Sequence, residues 1–162
     1  MRDERVKRLA LGGLLSSLVL LATWQLKIFL PLGVGYVHLE DGVIFLSSML
    51  LGNYAALVAA IGSALADLLV GASVYIPATL IIKALMGTVA ALLFRSGKHI
   101  RNLFVFALAE VIMVGGYFAY EIFISNWGLA LTTIGPNLLQ GAAGVVLGIA
   151  FSLYLPHLKK LI

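Results

Sequence analysis

Ionisable side chains interrupt apolar runs long enough to lie inside a membrane, and that conflict limits the fold more than any other feature of this sequence. The runs fall at roughly 8–26, 42–51, 54–70, 77–94, 102–124 and 134–155, and within them lie Asp67, Lys83, Glu110 and Glu121. An uncompensated charge near the centre of a spanning helix costs about 2.5–3.5 kcal/mol, so the four would cost on the order of 10 kcal/mol, comparable to a domain's net stability. These groups must face the protein interior, pair with one another or line a wet cavity. Composition agrees with a membrane setting. Of 162 residues, 62% are hydrophobic and 11% charged, against about 25% charged in soluble domains. At about 20 residues per span the length allows six helices with short connections and no soluble domain. The expected fold is an all-α membrane protein of six transmembrane helices, with residues 1–162 forming a single transmembrane domain.

Positive residues cluster in "RDERVKR" at the start, in "RSGKHIR" at 95–101 and in "HLKK" at 157–160. Cytoplasmic segments collect Lys and Arg, so all three clusters, and with them both termini, are expected inside. Four spans precede the middle cluster and two follow it, which satisfies that parity. The net charge of +4 is therefore assigned to topology, and no nucleic-acid partner is expected. The first run reads as a retained helix rather than a signal peptide. Its head contains Asp3 and Glu4, and no small-x-small cleavage site follows. The absence of cysteine excludes disulfides and thiolate sites. His38, His99 and His157 are far apart, so neither a metal nor a cofactor is expected.

The second run is short. Val43 to Leu51 rises only about 14 Å against a hydrocarbon core of about 30 Å. It is expected to begin earlier, with Asp41 as its N-cap, and to turn at Gly52-Asn53 into the third helix. The outer connections are then 27–42, 71–76 and 125–133. The longest holds "GYVHLEDGV", with His38, Glu40 and Asp41, and is read as a loop of the functional kind.

Helical spacing places Glu110, Val114, Tyr117 and Glu121 on one face of the fifth segment. Asn137, Gln140 or Gly141, Gly144 and Gly148 share a face of the sixth; Ala59, Ser63, Ala66 and Asp67 share one of the third. Asp67, Glu121, Asn137 and Gln140 fall in the outer half, and Lys83 about two turns below the outer end of its helix. With the His38–Asp41 loop above them, these groups can converge on one outward pocket. Two readings stay open for Asp67 and Lys83: a buried ion pair or ligand contacts. Glu110 reads as structural or as a partner contact. Trp24, Tyr36, Tyr75 and Trp127 lie near the outer interface, where aromatics are enriched and where they also offer stacking surfaces. No P-loop, metalloprotease, hydrolase or dinucleotide signature is present.

The block "GYVHLEDGVIFLSSMLLGNYAALVAAIGSALADLLVGASVYIPATLIIKALMG", with the later "GYFAYEIF" and "PNLLQGAAGVVLG", resembles the S components of energy-coupling factor (ECF) transporters. It is most similar to the subgroup for riboflavin, hydroxymethylpyrimidine and vitamin B6. Members of that family usually carry Gly-Asp where this chain has Glu40-Asp41. The resemblance implies a six-helix subunit, not an enzyme, that captures a vitamin from outside. It implies association with a transmembrane coupling subunit and two cytoplasmic ATPase subunits, which supply the ATP hydrolysis. The family's small-residue contact on the first helix corresponds here to Ala10, Gly13 and Ser17. The candidate ligand residues are His38, Glu40, Asp41, Asp67, Tyr75, Lys83, Tyr117, Glu121, Asn137 and Gln140. A carboxylate such as Asp67 or Glu121 suits a protonated ring nitrogen, and Lys83 suits a phenolic oxygen or an imine. A vitamin B6 form is therefore favoured, with hydroxymethylpyrimidine and riboflavin as alternatives. The competing class is a membrane scaffold or small membrane enzyme whose buried charges are purely structural.

Overall fold

Inside lipid every backbone N–H and C=O needs a partner within the chain, and a helix supplies it within one segment. In the computed structural model, which describes residues 2–29, 36–158 and 160, the apolar runs are helices. Among the described residues these are α1 (Arg2–Trp24), α2 (Glu40–Leu51), α3 (Ala55–Leu69), α4 (Ile76–Leu93), α5 (His99–Ile124) and α6 (Trp127–Leu158). Five stretches are long and apolar enough to cross a membrane: Glu4–Trp24, Glu40–Leu69, Ser73–Leu93, His99–Ile124 and Trp127–Leu158.

The stretch Glu40–Leu69 is not one rod. Twenty-three residues of straight helix would separate Glu40 from Ser63 by about 34 Å, yet the Ser63 hydroxyl donates to Glu40 Oε2 at 3.0 Å. The chain reverses between them. Leu51 is followed by a 3₁₀ turn, Gly52–Tyr54, in which Gly52 takes φ 58°, a backbone state open to glycine at little cost. α2 and α3 therefore lie back to back, and at 12 and 15 residues they rise only about 18 and 22 Å.

α2 is the innermost element, packed against α1, α4 and α6, and nine of its 12 residues are buried. Phe45 stacks on Phe106 with ring centroids 4.4 Å apart, and Met49, Met86 and Met113 fill the space around them. α1 buries Leu15, Val19, Ala22 and Thr23, which share one helical face, and leaves Leu14, Leu18 and Leu21 exposed. Such outward leucines match a lipid surrounding rather than water. Two contacts depend on small residues. A Cβ on Gly62 would meet the Ser16 carbonyl at 2.6 Å, and one on Gly87 the Ala55 carbonyl at 2.8 Å. α3 can thus approach α1 and α4 at backbone distance.

Two connections differ from expectation. The segment 27–42 is not a plain loop: β1 (Lys27–Phe29) and β2 (Tyr36–His38) pair antiparallel, with Lys27 opposite His38, and α2 starts at Glu40. The start of the "GYVHLEDGV" motif, Gly35, and the middle of the expected loop lie outside the described residues, as does the Tyr36 side chain. The expected connection 125–133 is only two residues long, because α6 begins at Trp127. Asn126 Oδ1 accepts the Leu129 N–H at 3.0 Å, a side-chain cap that starts the helix. Pro136 lies inside α6.

The two ends of the bundle carry different chemistry. The 94–98 connection is tied to α5 by Asn102, which donates to the Arg95 carbonyl at 2.8 Å and accepts its N–H at 3.0 Å. The His99 ring reaches Ser152 of α6 at the same end. The opposite end holds the hairpin, with Asp67 and Glu121 beside His38.

Candidate functional site

Two acids that follow one another in sequence meet one lysine from a different helix. Lys83, two turns into α4, places Nζ 2.6 Å from Glu40 Oε1 and 2.5 Å from Asp41 Oδ1. The three residues are at most 1% exposed. At such burial a lone ammonium or carboxylate costs several kcal/mol, so each must be compensated locally. The rest of the wall does this. Glu40 Oε2 accepts the Thr23 hydroxyl of α1 and the Ser63 hydroxyl of α3, and Asp41 Oδ2 accepts the Gln140 amide of α6 at 2.7 Å. His38 Nδ1 lies 3.9 Å from Glu40 Oε1. A single knot thus ties α1, α2, α3, α4 and α6 together.

This arrangement corrects three expectations. Asp41 does not cap α2: the cap position is Leu39, without a side-chain bond. Glu40 and Asp41 do not stand in a loop above the pocket, because helical winding from Glu40 onward turns both carboxylates into the bundle. Lys83 pairs with these two acids rather than with Asp67.

Above the knot is a cavity of about 320 Å³. Lys83 and Gln140 form its floor; Asp67, Tyr117, Asn137 and His38 line it, and Tyr75 and Glu121 stand toward the outer ends of their helices. Eight of the ten expected ligand residues therefore share one hollow, and Glu40 and Asp41 lie directly behind it. Glu121 is held from two sides, by the Tyr75 hydroxyl at 3.3 Å and by the Thr133 hydroxyl. Tyr120 donates to the Val74 carbonyl at 2.5 Å, which ties the end of α5 to the start of α4. Asp67 differs from Glu40, Asp41 and Glu121: its Oδ2 is buried with no hydrogen-bond partner among the described residues.

Sequence reasoning missed Thr79, Thr133 and Ala72 in the lining. Thr79 was findable, since it precedes Lys83 by four residues and shares its face; its hydroxyl lies 3.0 Å from that of Tyr117. Thr133 was hidden in a segment read as loop.

Glu110 stands apart. It is 6% exposed, and neither carboxyl oxygen has a hydrogen-bond partner among the described residues. It lines a larger groove, about 440 Å³, between α5 and α6, whose other walls are Val111, Val114, Leu138, Val145 and small residues. That groove is apolar and lacks converging polar groups, so the smaller cavity is the better candidate site.

On α1, Ala10, Gly13 and Ser17 are all exposed. Space beside Gly13 is open, and Gly12, Gly13 and Ser16 border a shallow notch of about 240 Å³ shared with Leu57 and Ile61 of α3. Trp24 and Trp127 are exposed at the cavity end of the bundle.

Comparison with protein-family models gives a match over residues 4–156 to the family described as ECF-type riboflavin transporter, S component. Comparison with curated proteins gives no match.

Proposed function

The chain belongs to the family of ECF-type riboflavin transporter S components, integral membrane subunits of a transporter, and on that premise we propose that it captures a small vitamin from outside the cell. The observation that carries the reading is the 320 Å³ cavity with its converging polar groups over the Lys83 knot. The cavity lies at the end of the bundle away from Arg95 and Lys98. With basic residues on the cytoplasmic side, it opens outward. In this reading the chain is a single transmembrane unit that crosses six times, α2 and α3 making a short pair, with both termini cytoplasmic.

The same reading assigns the α1 face of Ala10, Gly13 and Ser17 to the transmembrane coupling subunit. Small residues at helical spacing let a partner helix come close. Two cytoplasmic ATPase subunits supply the energy that this chain has no motif to supply. The favoured ligand is a vitamin B6 form, pyridoxine, pyridoxal or pyridoxamine, with hydroxymethylpyrimidine and riboflavin as alternatives. A volume of about 320 Å³ is at the small end of ligand pockets, which run from about 300 to 1,000 Å³, and this favours a one-ring ligand. Tyr75 and Tyr117, with ring centroids 6.4 Å apart, offer a wall for such a ring.

Isothermal titration of the purified protein with pyridoxine, pyridoxal, pyridoxamine, hydroxymethylpyrimidine, thiamine and riboflavin tests the proposal. Saturable one-to-one binding of a vitamin is expected. Silence across the panel, from protein that remains folded in detergent, would favour a scaffold.

A further inference from the structure

The charges on the cavity wall are lopsided. Several of its donors are engaged within the wall. The Tyr75 and Thr133 hydroxyls donate to Glu121 and the Gln140 amide to Asp41. Of the three N–H groups on Lys83, two are engaged by Glu40 and Asp41. Acceptors remain. Four carboxyl groups, Glu40, Asp41, Asp67 and Glu121, lie on or behind the wall against the one ammonium of Lys83. Both Glu121 oxygens already receive a hydroxyl, whereas Asp67 Oδ2 is buried and unpartnered among the described residues. A buried acceptor left in this state is costly, and an incoming donor removes the cost.

Resting on the vitamin-capture reading, we infer that the ligand is a small nitrogen base that docks an N–H donor, from an amino group or a protonated ring nitrogen, on Asp67, and that the site turns away forms of the same base bearing a phosphate. The donor on the ligand completes the open acceptor of Asp67. A phosphate would instead bring negative charge into a wall where carboxyl groups outnumber cations. The same count moves the anchor from Lys83, whose charge is already shared by two acids, to Asp67.

Calorimetric titration of the intact chain with pyridoxamine, hydroxymethylpyrimidine, pyridoxal phosphate and riboflavin separates the outcomes. Pyridoxamine or hydroxymethylpyrimidine should bind roughly tenfold or more tightly than pyridoxal phosphate and riboflavin. Asp67→Asn, which sets an amide N–H against the ligand's own, should erase that advantage. Tightest binding of riboflavin or pyridoxal phosphate overturns the inference and leaves vitamin capture standing, as does an Asp67→Asn variant with unchanged preference. If no probe binds, this inference falls, and vitamin capture falls with it when pyridoxine, pyridoxal and thiamine are silent too. Should Asp67→Asn fail to fold, the rank order on the unaltered chain decides.

Discussion

Lys83 and Glu110 both lie near the middle of their bundle, both are all but inaccessible, and the chain treats them in opposite ways. Around Lys83 every polar atom of the two acids is met by a side chain from a neighbouring helix. Around Glu110 there is room, and no hydrogen-bond partner among the described residues. A Cβ on Gly141 would meet the Glu110 Cβ at 3.1 Å, and one on Gly144 would run into Oε1. One region spends five helices on satisfying charges; the other spends two glycines on making space. The first is built to hold its geometry, which is what a ligand floor needs. The second holds nothing in place.

If that contrast is right, breaking the knot has the largest effect. Lys83→Met leaves Glu40 and Asp41 as adjacent buried carboxylates without their counter-charge. Removing one partner of a buried pair costs about 3–5 kcal/mol. Thermal unfolding in detergent should show a steep loss, partly recovered when Glu40→Gln and Asp41→Asn are added. A Lys83→Met protein that melts like its parent would mean the knot is decoration.

Gly144→Ala comes next because it strikes both regions. The new methyl would lie 2.8 Å from the Asp41 Cβ as well as against Glu110, and overpacking of this kind costs about 1–3 kcal/mol. A double-mutant cycle with Glu110→Ala divides the effect. Whatever Glu110→Ala restores belongs to the groove, and what remains belongs to the knot. Ser63→Ala is smaller. It deletes one of two hydroxyl donors to Glu40 Oε2, and a hydrogen bond to a charged group is worth about 1.5–3 kcal/mol at most. The surviving Thr23 hydroxyl should hold the loss near the bottom of that range, read from the same unfolding curves.

The cavity was largely legible in the sequence because helical spacing is a strong signal inside a membrane. Once charged groups must avoid lipid, Asp67, Lys83, Tyr117 and Glu121 have few faces to occupy. The partner of Lys83 was not legible. Glu40 and Asp41 sit beside a histidine and between a long connection and an apolar run, a context that reads as surface. Only the point at which winding begins, at Glu40, buries them. The start of α6 was misjudged for a related reason. Gly128, Gly135 and Pro136 are turn signals in water, but with Asn126 as cap the chain keeps its backbone bonds in a helix, as an apolar surrounding demands. The strands 27–29 and 36–38 are too short for any periodicity to show.

Glu110 gives the smallest and most diagnostic prediction. Glu110→Gln keeps the shape and Glu110→Leu removes the polar atoms, and neither breaks a hydrogen bond, since none is made among the described residues. Replacing an unpartnered buried polar group by an apolar one of similar volume is neutral or stabilising. Both variants should therefore unfold within about 1 kcal/mol of the parent, with Glu110→Leu the more stable of the two. The neighbours decide what a failure would mean. Gly144 brings the backbone of α6 close enough that a single Cβ there would touch both Glu110 and Asp41, so the groove and the knot are one residue apart. A loss of about 3 kcal/mol in Glu110→Gln would show that the Lys83 charge reaches Glu110 through that gap. The two regions would then be one network, with the acid of α5 as its outermost member.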